Sequence, residues 1–240
     1  MSTANIARIF VIVVISALAI YRLRQDPIPK SELIRRLPRC VAGLGCFGLG
    51  IGLFFASRLG VGPWDVLHGG LASRLHLPIG VVINLVGLAI LPLWIPLKEP
   101  IGLGTALNTL EIGFVLDLLR PHLPHTDAIV GRVALAVAGV VVIALGSGLY
   151  LGSGLGSGPR DGLMMGLNRL GLSIRSARTL IEAVTLGLGW LLGGTIGAGT
   201  AIFLVGIGPL VQVFLPRFAL PPLLKKSPLT QPLSTQPLSR

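Results

Sequence analysis

Charge is what this sequence has least of. Only 12% of its residues are Asp, Glu, Lys or Arg, while 52% are hydrophobic. Soluble domains carry roughly 25% charged residues, so this chain of 240 residues lacks the polar surface to coat a globule in water. Lipid is the solvent that suits it. Acids are scarcest, nine against twenty basic residues. Cysteine is limited to Cys40 and Cys46 in one apolar run. Their spacing puts them on different sides of a helix, which argues for small packing residues rather than a disulfide. No Cys/His spacing matches a zinc site. Neither Gly-x-Ser-x-Gly nor His-Glu-x-x-His occurs. The run Gly152–Gly158 lacks the Gly-Lys-Ser/Thr ending of a phosphate loop. The expectation is therefore a non-enzyme with no catalytic residue, metal or cofactor.

What is present is a series of long uncharged runs. Cys40–Ser57, Leu77–Leu97 and Val133–Pro159 contain no charged residue, and Ala183–Pro216 is one run broken by Gly193-Gly194 and Gly197. A spanning helix needs about 20 residues, so the last run is long enough for a helical hairpin. Ile9–Tyr21 follows Arg8 and reads as a short, uncleaved first helix. Cleavage after Ala17-Leu18-Ala19 would strand the basic run Arg22–Arg39 outside.

The net charge of +11 does not point to nucleic acid, because the basic residues sit between apolar runs and in the tail, with no aromatics interleaved. That distribution follows the positive-inside bias. It places the basic loop 22–39 and the C-terminal tail in the cytoplasm, against anionic headgroups. The tail, with Lys225, Lys226 and the near-repeats at Thr230 and Thr235, is too rich in Pro, Ser and Gln to form a core and reads as disordered.

Between these ends lies an internal duplication. Gly60-Val-Gly62-Pro63-Trp64-Asp65 matches Gly156-Ser-Gly158-Pro159-Arg160-Asp161, 96 positions on. The same offset pairs Gly50 with Gly146, Gly52 with Gly148, and Gly70 with Gly166. Ile101–Ala106 then matches Ile196–Ala201 at an offset of 95. The expected fold is all-α: a polytopic transmembrane bundle of two tandem repeats, each with a Gly-Pro-x-Asp turn and a short helix. Its parts are a first helix and basic loop (1–36), repeat 1 (37–121), a connecting loop (122–131), repeat 2 (132–217) and the tail (218–240).

The short segments Trp64–Leu75 and Arg160–Leu172 decide the topology. Each measures ~18 Å as a helix, too short to cross ~30 Å of hydrocarbon. Re-entrant pieces leave three crossings per repeat and invert the second repeat. Crossing pieces give four and keep the repeats parallel. Charge permits both schemes, and length favours inversion.

Ionisable groups kept within apolar segments are functional candidates, because hydrocarbon penalises them. Asp65 and Asp161 occupy equivalent places after Pro63 and Pro159. An acid there stabilises a helix N-terminus. Paired broken helices are also where repeat-built transporters bind substrate. Arg160 stands where the first copy has Trp64, so the two sites differ chemically. Asn108 and Glu111 share a helix face, and Asp117 further along is expected at the headgroups. Glu182 shares a face with Arg175 and Arg178, as an ion pair with Arg178 or as a ligand site. Asn84 and Gln212 read as interhelical hydrogen-bond partners. The histidines 68, 76, 122 and 125 are expected not to cluster with the acids.

The two Gly-x-Gly-Pro-x-Asp motifs, Arg39 and the Gly-rich helix after it resemble the YczE/YyaS/YitT group of bacterial integral membrane proteins, over roughly residues 37–217. The resemblance implies a bacterial plasma membrane protein and supplies no catalytic residue. Two functions compete. One is a small permease with a small-molecule site between the repeats, built from Trp64, Asp65, Asn108, Glu111, Arg160, Asp161 and Glu182. The other is a non-transporting scaffold that recruits a partner complex through its basic loop and tail.

Overall fold

Proline and glycine punctuate the chain. The computed structural model describes residues 3–25 and 27–221, apart from the side chains of residues 174 and 175. Its helices are α1 (Thr3–Gln25), α2 (Lys30–Ser57), α3 (Pro63–Leu75), α4 (Ile79–Ile90), α5 (Trp94–Leu97), α6 (Leu103–Leu119), α7 (Ile129–Gly152), α8 (Pro159–Arg169), α9 (Ile174–Leu191) and α10 (Ala198–Phe218). Single 3₁₀ turns at Leu91–Leu93 and Arg120–His122 complete the list, and no strand occurs among the described residues. The fold is all-α, as the composition requires. Among the described residues, five stretches are long and apolar enough to span a membrane: α1, α2, Ile79–Leu97, α7 and α10. The outer surface is apolar, with Val130 and Val205 78% and 76% exposed. Large exposed apolar area marks a surface that meets something other than water.

Two boundaries differ from expectation. The first helix has 23 residues and is itself long enough to span, against the short Ile9–Tyr21. The basic stretch 22–39 is mostly helix rather than loop, because α2 begins at Lys30. The prolines at 27 and 29 break the chain, and charge does not. Arg35 and Arg36 both pair with Glu32 one turn earlier (2.9 and 2.6 Å). Nearly all of the tail lies outside the described residues.

Glycine sets how the helices pack. A Cβ at Gly43 would lie 2.8 Å from the carbonyl oxygen of Gly146, and one at Gly50 would lie 2.8 Å from that of Gly139. Small residues let backbones approach this closely in a membrane. Because 43 faces 146 and 50 faces 139, α2 and α7 run antiparallel. Gly48 faces Ile112 and Gly52 faces Leu116, so α6 runs parallel to α2. Gly148 and Gly152 meet Phe214 and Phe218 in the same way, so α10 runs parallel to α7. Gly80 packs on Gly113 and Gly87 on Thr109, which makes α4 antiparallel to α6.

Beyond α2 and α7 the chain makes matching contacts. Arg36 donates from Nη1 to the Ser153 carbonyl (2.7 Å), and Arg132 donates from Nε to the Ser57 carbonyl (2.8 Å). The Leu59 carbonyl accepts the Gly199 N–H (2.7 Å), and the Leu155 carbonyl accepts the Gly104 N–H (2.9 Å). Gly60 and Gly156 turn the chain there with φ of 104° and 128°, a region that side chains resist. Beyond those turns the short helices α3 and α8 begin, at Pro63 and Pro159. Arg74 at the end of α3 reaches the Leu192 carbonyl (3.3 Å), beside the Gly197 segment that packs on Leu59 and Gly60. Arg169 at the end of α8 reaches the Lys98 carbonyl (2.7 Å), close to the Gly102 that packs on Leu155.

Candidate functional site

The N-terminal turns of α3 and α8 meet inside the bundle. Gly62 and Gly158 are the N-cap residues, with Pro63 and Pro159 opening each helix. Proline costs nothing at that position because its missing N–H would have no helical partner. The Gly62 carbonyl accepts the N–H groups of Asp65 and Val66 (both 2.9 Å). Asp65 is buried in this first turn, where the helix dipole favours an anion. Its Oδ1 lies 3.2 Å from Nδ1 of the buried His68. In α8 the carboxylate of Asp161 instead accepts the Tyr150 hydroxyl.

Arg160 joins the two turns. Its guanidinium carbon sits 5.1 Å from the centre of the Trp64 ring, within cation–π range. Its Nη2 lies 3.9 Å from Oδ1 of Asp65, an ion-pair distance too long for a hydrogen bond. Trp94 fixes α8 from the other side by donating its indole N–H to the Pro159 carbonyl (3.1 Å). Asn108 of α6 packs against Gly158, where a Cβ would come within 2.7 Å of its amide. A small cleft opens at this junction, with room of about 20 Å³ for the centres of water-sized spheres, enough for a water. Its polar lining is His68, Asn108, Thr109 and Arg160, and its walls include Ile83, Val86, Ile90 and Ile112.

The structure thus brings Trp64, Asp65, Asn108, Arg160 and Asp161 into one neighbourhood. Glu111 stays apart. It faces α2, where a Cβ at Gly45 would lie 3.9 Å from its carboxylate oxygen. Glu182 is paired with Arg178 (2.8 Å), the plainer of its two expected roles. Asp117, expected at the headgroups, has partners within the protein. It is only 13% exposed, pairs with Arg8, and accepts the Gly80 N–H (2.9 Å) at the start of α4. The sequence hides this because Arg8 and Gly80 lie far from it along the chain. Asn84 is buried between α4 and α6, its amide placed to donate to the carbonyls of Thr109 and Gly80, whereas Gln212 is exposed. Both cysteines are free.

Three residues escaped the sequence reading. His68 does cluster with an acid, contrary to expectation, and its spacing of three from Asp65 on a helix was the available signal. Arg36 and Arg132 stand 96 positions apart, so extending the alignment upstream would have paired them. Outside the spans, burial pushes the Glu99 carboxyl above its ordinary range, against the pull of Arg169. Nη2 of Arg169 lies 3.3 Å from Oε1 of Glu99, without the geometry of a hydrogen bond.

Comparison with known proteins finds relatives over most of the chain. A Haemophilus influenzae chain described as an uncharacterized protein is 40% identical over 173 residues, covering 72% of this chain and 79% of its own. The uncharacterized membrane protein YczE of Bacillus subtilis is 31% identical over 191 residues, covering 78% and 89%. YyaS of the same organism is 32% identical over 181 residues, covering 72% and 89%. No solved structure matches. With its apolar spans and this likeness to a membrane protein, the chain is a multi-pass integral membrane protein. Residues 34–216 match the model of a family of unknown function, DUF6198, and the chain belongs to that YczE-like family.

Proposed function

We propose that this chain is a small, non-enzymatic permease of a bacterial plasma membrane. It is built from two inverted repeats, with its substrate site where the two Gly-Pro-x-Asp turns meet. Contacts that recur 96 or 95 positions apart support the duplication, and the antiparallel pairing of α2 with α7 supports the inversion. Each half then crosses the membrane three times, by α2, α4–α5 and α6 and by α7, α9 and α10, with α6 and α9 added as crossings to the long apolar stretches. The short helices α3 and α8 are re-entrant. The basic ends of α1 and α2 and the C-terminal end of α10 face the cytoplasm, following the positive-inside rule.

The observation that carries the transport reading is Arg160 of one half lying over Trp64 and beside Asp65 of the other. Ionisable groups at paired broken helices are the arrangement by which repeat-built transporters hold substrate between two rocking halves. A buried polar junction is costly in lipid, and a site that must alternately close and open gives a reason to keep it.

The test uses the purified chain in proteoliposomes and follows entry of a panel of small organic solutes by light scattering. At least one solute should enter faster than into protein-free vesicles. Asp65→Asn and Asp161→Asn should each abolish that entry while inserting normally. The reading is lost if no solute is accelerated, or if both variants merely fail to accumulate, because the aspartates are then structural.

A further inference from the structure

The two halves differ where they meet, and the differences fall in one place. Arg160 corresponds to Trp64, His68 to Met164, Asn108 to Phe203 and Thr109 to Leu204, at offsets of 96 or 95. In each pair, the polar or charged member lines the cleft. The equivalent contact shows the contrast directly. A Cβ at Gly158 would meet the amide of Asn108, whereas one at Gly62 would meet the ring of Phe203. Helix packing alone gives no reason to gather four polar side chains on one side of a pseudo-symmetric junction.

The lining is rich in donors. Arg160 makes no hydrogen bond among the described residues, although its guanidinium carries five N–H groups. Its contacts are the ring of Trp64 and the distant carboxylate of Asp65. The carboxylates do not line the cleft. Asp65 is held by His68 and Asp161 by Tyr150. A guanidinium fork matches a planar oxyanion with two oxygens. The walls of Ile83, Val86, Ile90 and Ile112 are apolar, and free space of about 20 Å³ restricts a ligand to the smallest carboxylates. Asp65 and Asp161 nearby penalise a second negative charge on the ligand.

Building on the permease reading, we propose that this cleft binds a short-chain monocarboxylate. The ligand carboxylate takes the place of Asp65 as the counter-ion of Arg160, and Asn108 adds an amide donor. Asp65 is a competitor for the guanidinium, so removing its charge tightens binding even where it stops transport.

The test is calorimetric titration of the full-length protein in nanodiscs with sodium acetate, using methylammonium chloride as the cationic probe and sodium nitrate as the inorganic planar anion. Acetate should bind saturably and more tightly than nitrate. Arg160→Gln should weaken acetate at least tenfold, Asn108→Ala severalfold, and Asp65→Asn should strengthen it severalfold. If Arg160→Gln does not fold, Arg160→Lys and Asn108→Ala decide, and wild-type affinity in both overturns the proposal. Absence of saturable acetate binding, or nitrate binding as tightly as acetate, also overturns it. Saturable methylammonium binding that depends on Asp65 overturns the carboxylate while leaving a site at the junction. If no probe binding depends on Arg160 or Asp65, the site between the turns falls with it.

Discussion

Arg36 and Arg132 stand 96 positions apart and bind each other's half of the molecule: Arg36 donates to the carbonyl of Ser153, and Arg132 to the carbonyl of Ser57. Each arginine therefore ties the first turns of its own helix to the chain leaving the opposite one. The two are not equally enclosed. Arg36 is 2% exposed and also bonds Glu32 and the Pro221 carbonyl (2.6 Å each), whereas Arg132 is half-buried.

Removing these ties should have unequal effects. Arg36→Ala leaves the carbonyl of the buried Ser153 without this donor, and an unpaired buried acceptor costs about 1–3 kcal/mol. Arg132→Ala leaves carbonyls that water reaches more easily, so its cost should be smaller. Thermal unfolding of each variant in detergent measures the difference. An Arg132→Ala midpoint as low as that of Arg36→Ala would show that burial does not set the cost.

A second expectation concerns the α2–α7 seam. Adding a methyl at Gly43 would put it 2.5 Å from the Tyr150 backbone nitrogen, which has no room to give. Overpacking of this kind costs about 1–3 kcal/mol. Nothing lies within 4 Å of a Cβ at Gly187 or Gly208. Gly43→Ala should therefore reduce the folded yield in gel filtration, while Gly187→Ala and Gly208→Ala leave it unchanged.

The sequence carried the helices well and the side-chain meetings poorly, for a physical reason. Uncharged runs and Gly/Pro breaks are local signals, so α3 and α8 were placed within a residue at their starts. Which end of α1 meets Asp117, or which ring lies under Arg160, depends on residues far apart in sequence. His68 is the exception. Its spacing of three from Asp65 puts both on one helix face, a local signal that the sequence carries. In the basic stretch 22–39 charge does not mark a loop, because Arg36 buries its charge against carbonyls and Glu32.

Glu99 gives the pH dependence. Burial raises its pKa above the ordinary 4.5, more than Arg169 lowers it. The unfolded chain then ionises before the folded one, so folding loses stability as pH rises above that ordinary value. Glu99→Gln cannot ionise. Its unfolding midpoint should match that of the wild type near pH 4 and exceed it at pH 7. A wild type that is the more stable of the two at pH 7 would mean that the ion pair with Arg169 outweighs burial.

Topology offers the most direct check on the inverted arrangement. In a background lacking Cys40 and Cys46, single cysteines replace Lys98, after α5, and Pro124, between α6 and α7; both native residues are exposed. If α3 is re-entrant, α2, α4–α5 and α6 are the crossings between the basic ends and residue 124. Position 124 then lies outside and position 98 inside. An impermeant thiol reagent on intact cells should label Pro124→Cys and spare Lys98→Cys, with both labelled after permeabilisation. The opposite pattern would mean that α3 crosses, giving four passages per half and parallel repeats. Arg160 would then no longer sit between two halves that can exchange the sides they face, and the scaffold reading would become the better account of the same contacts.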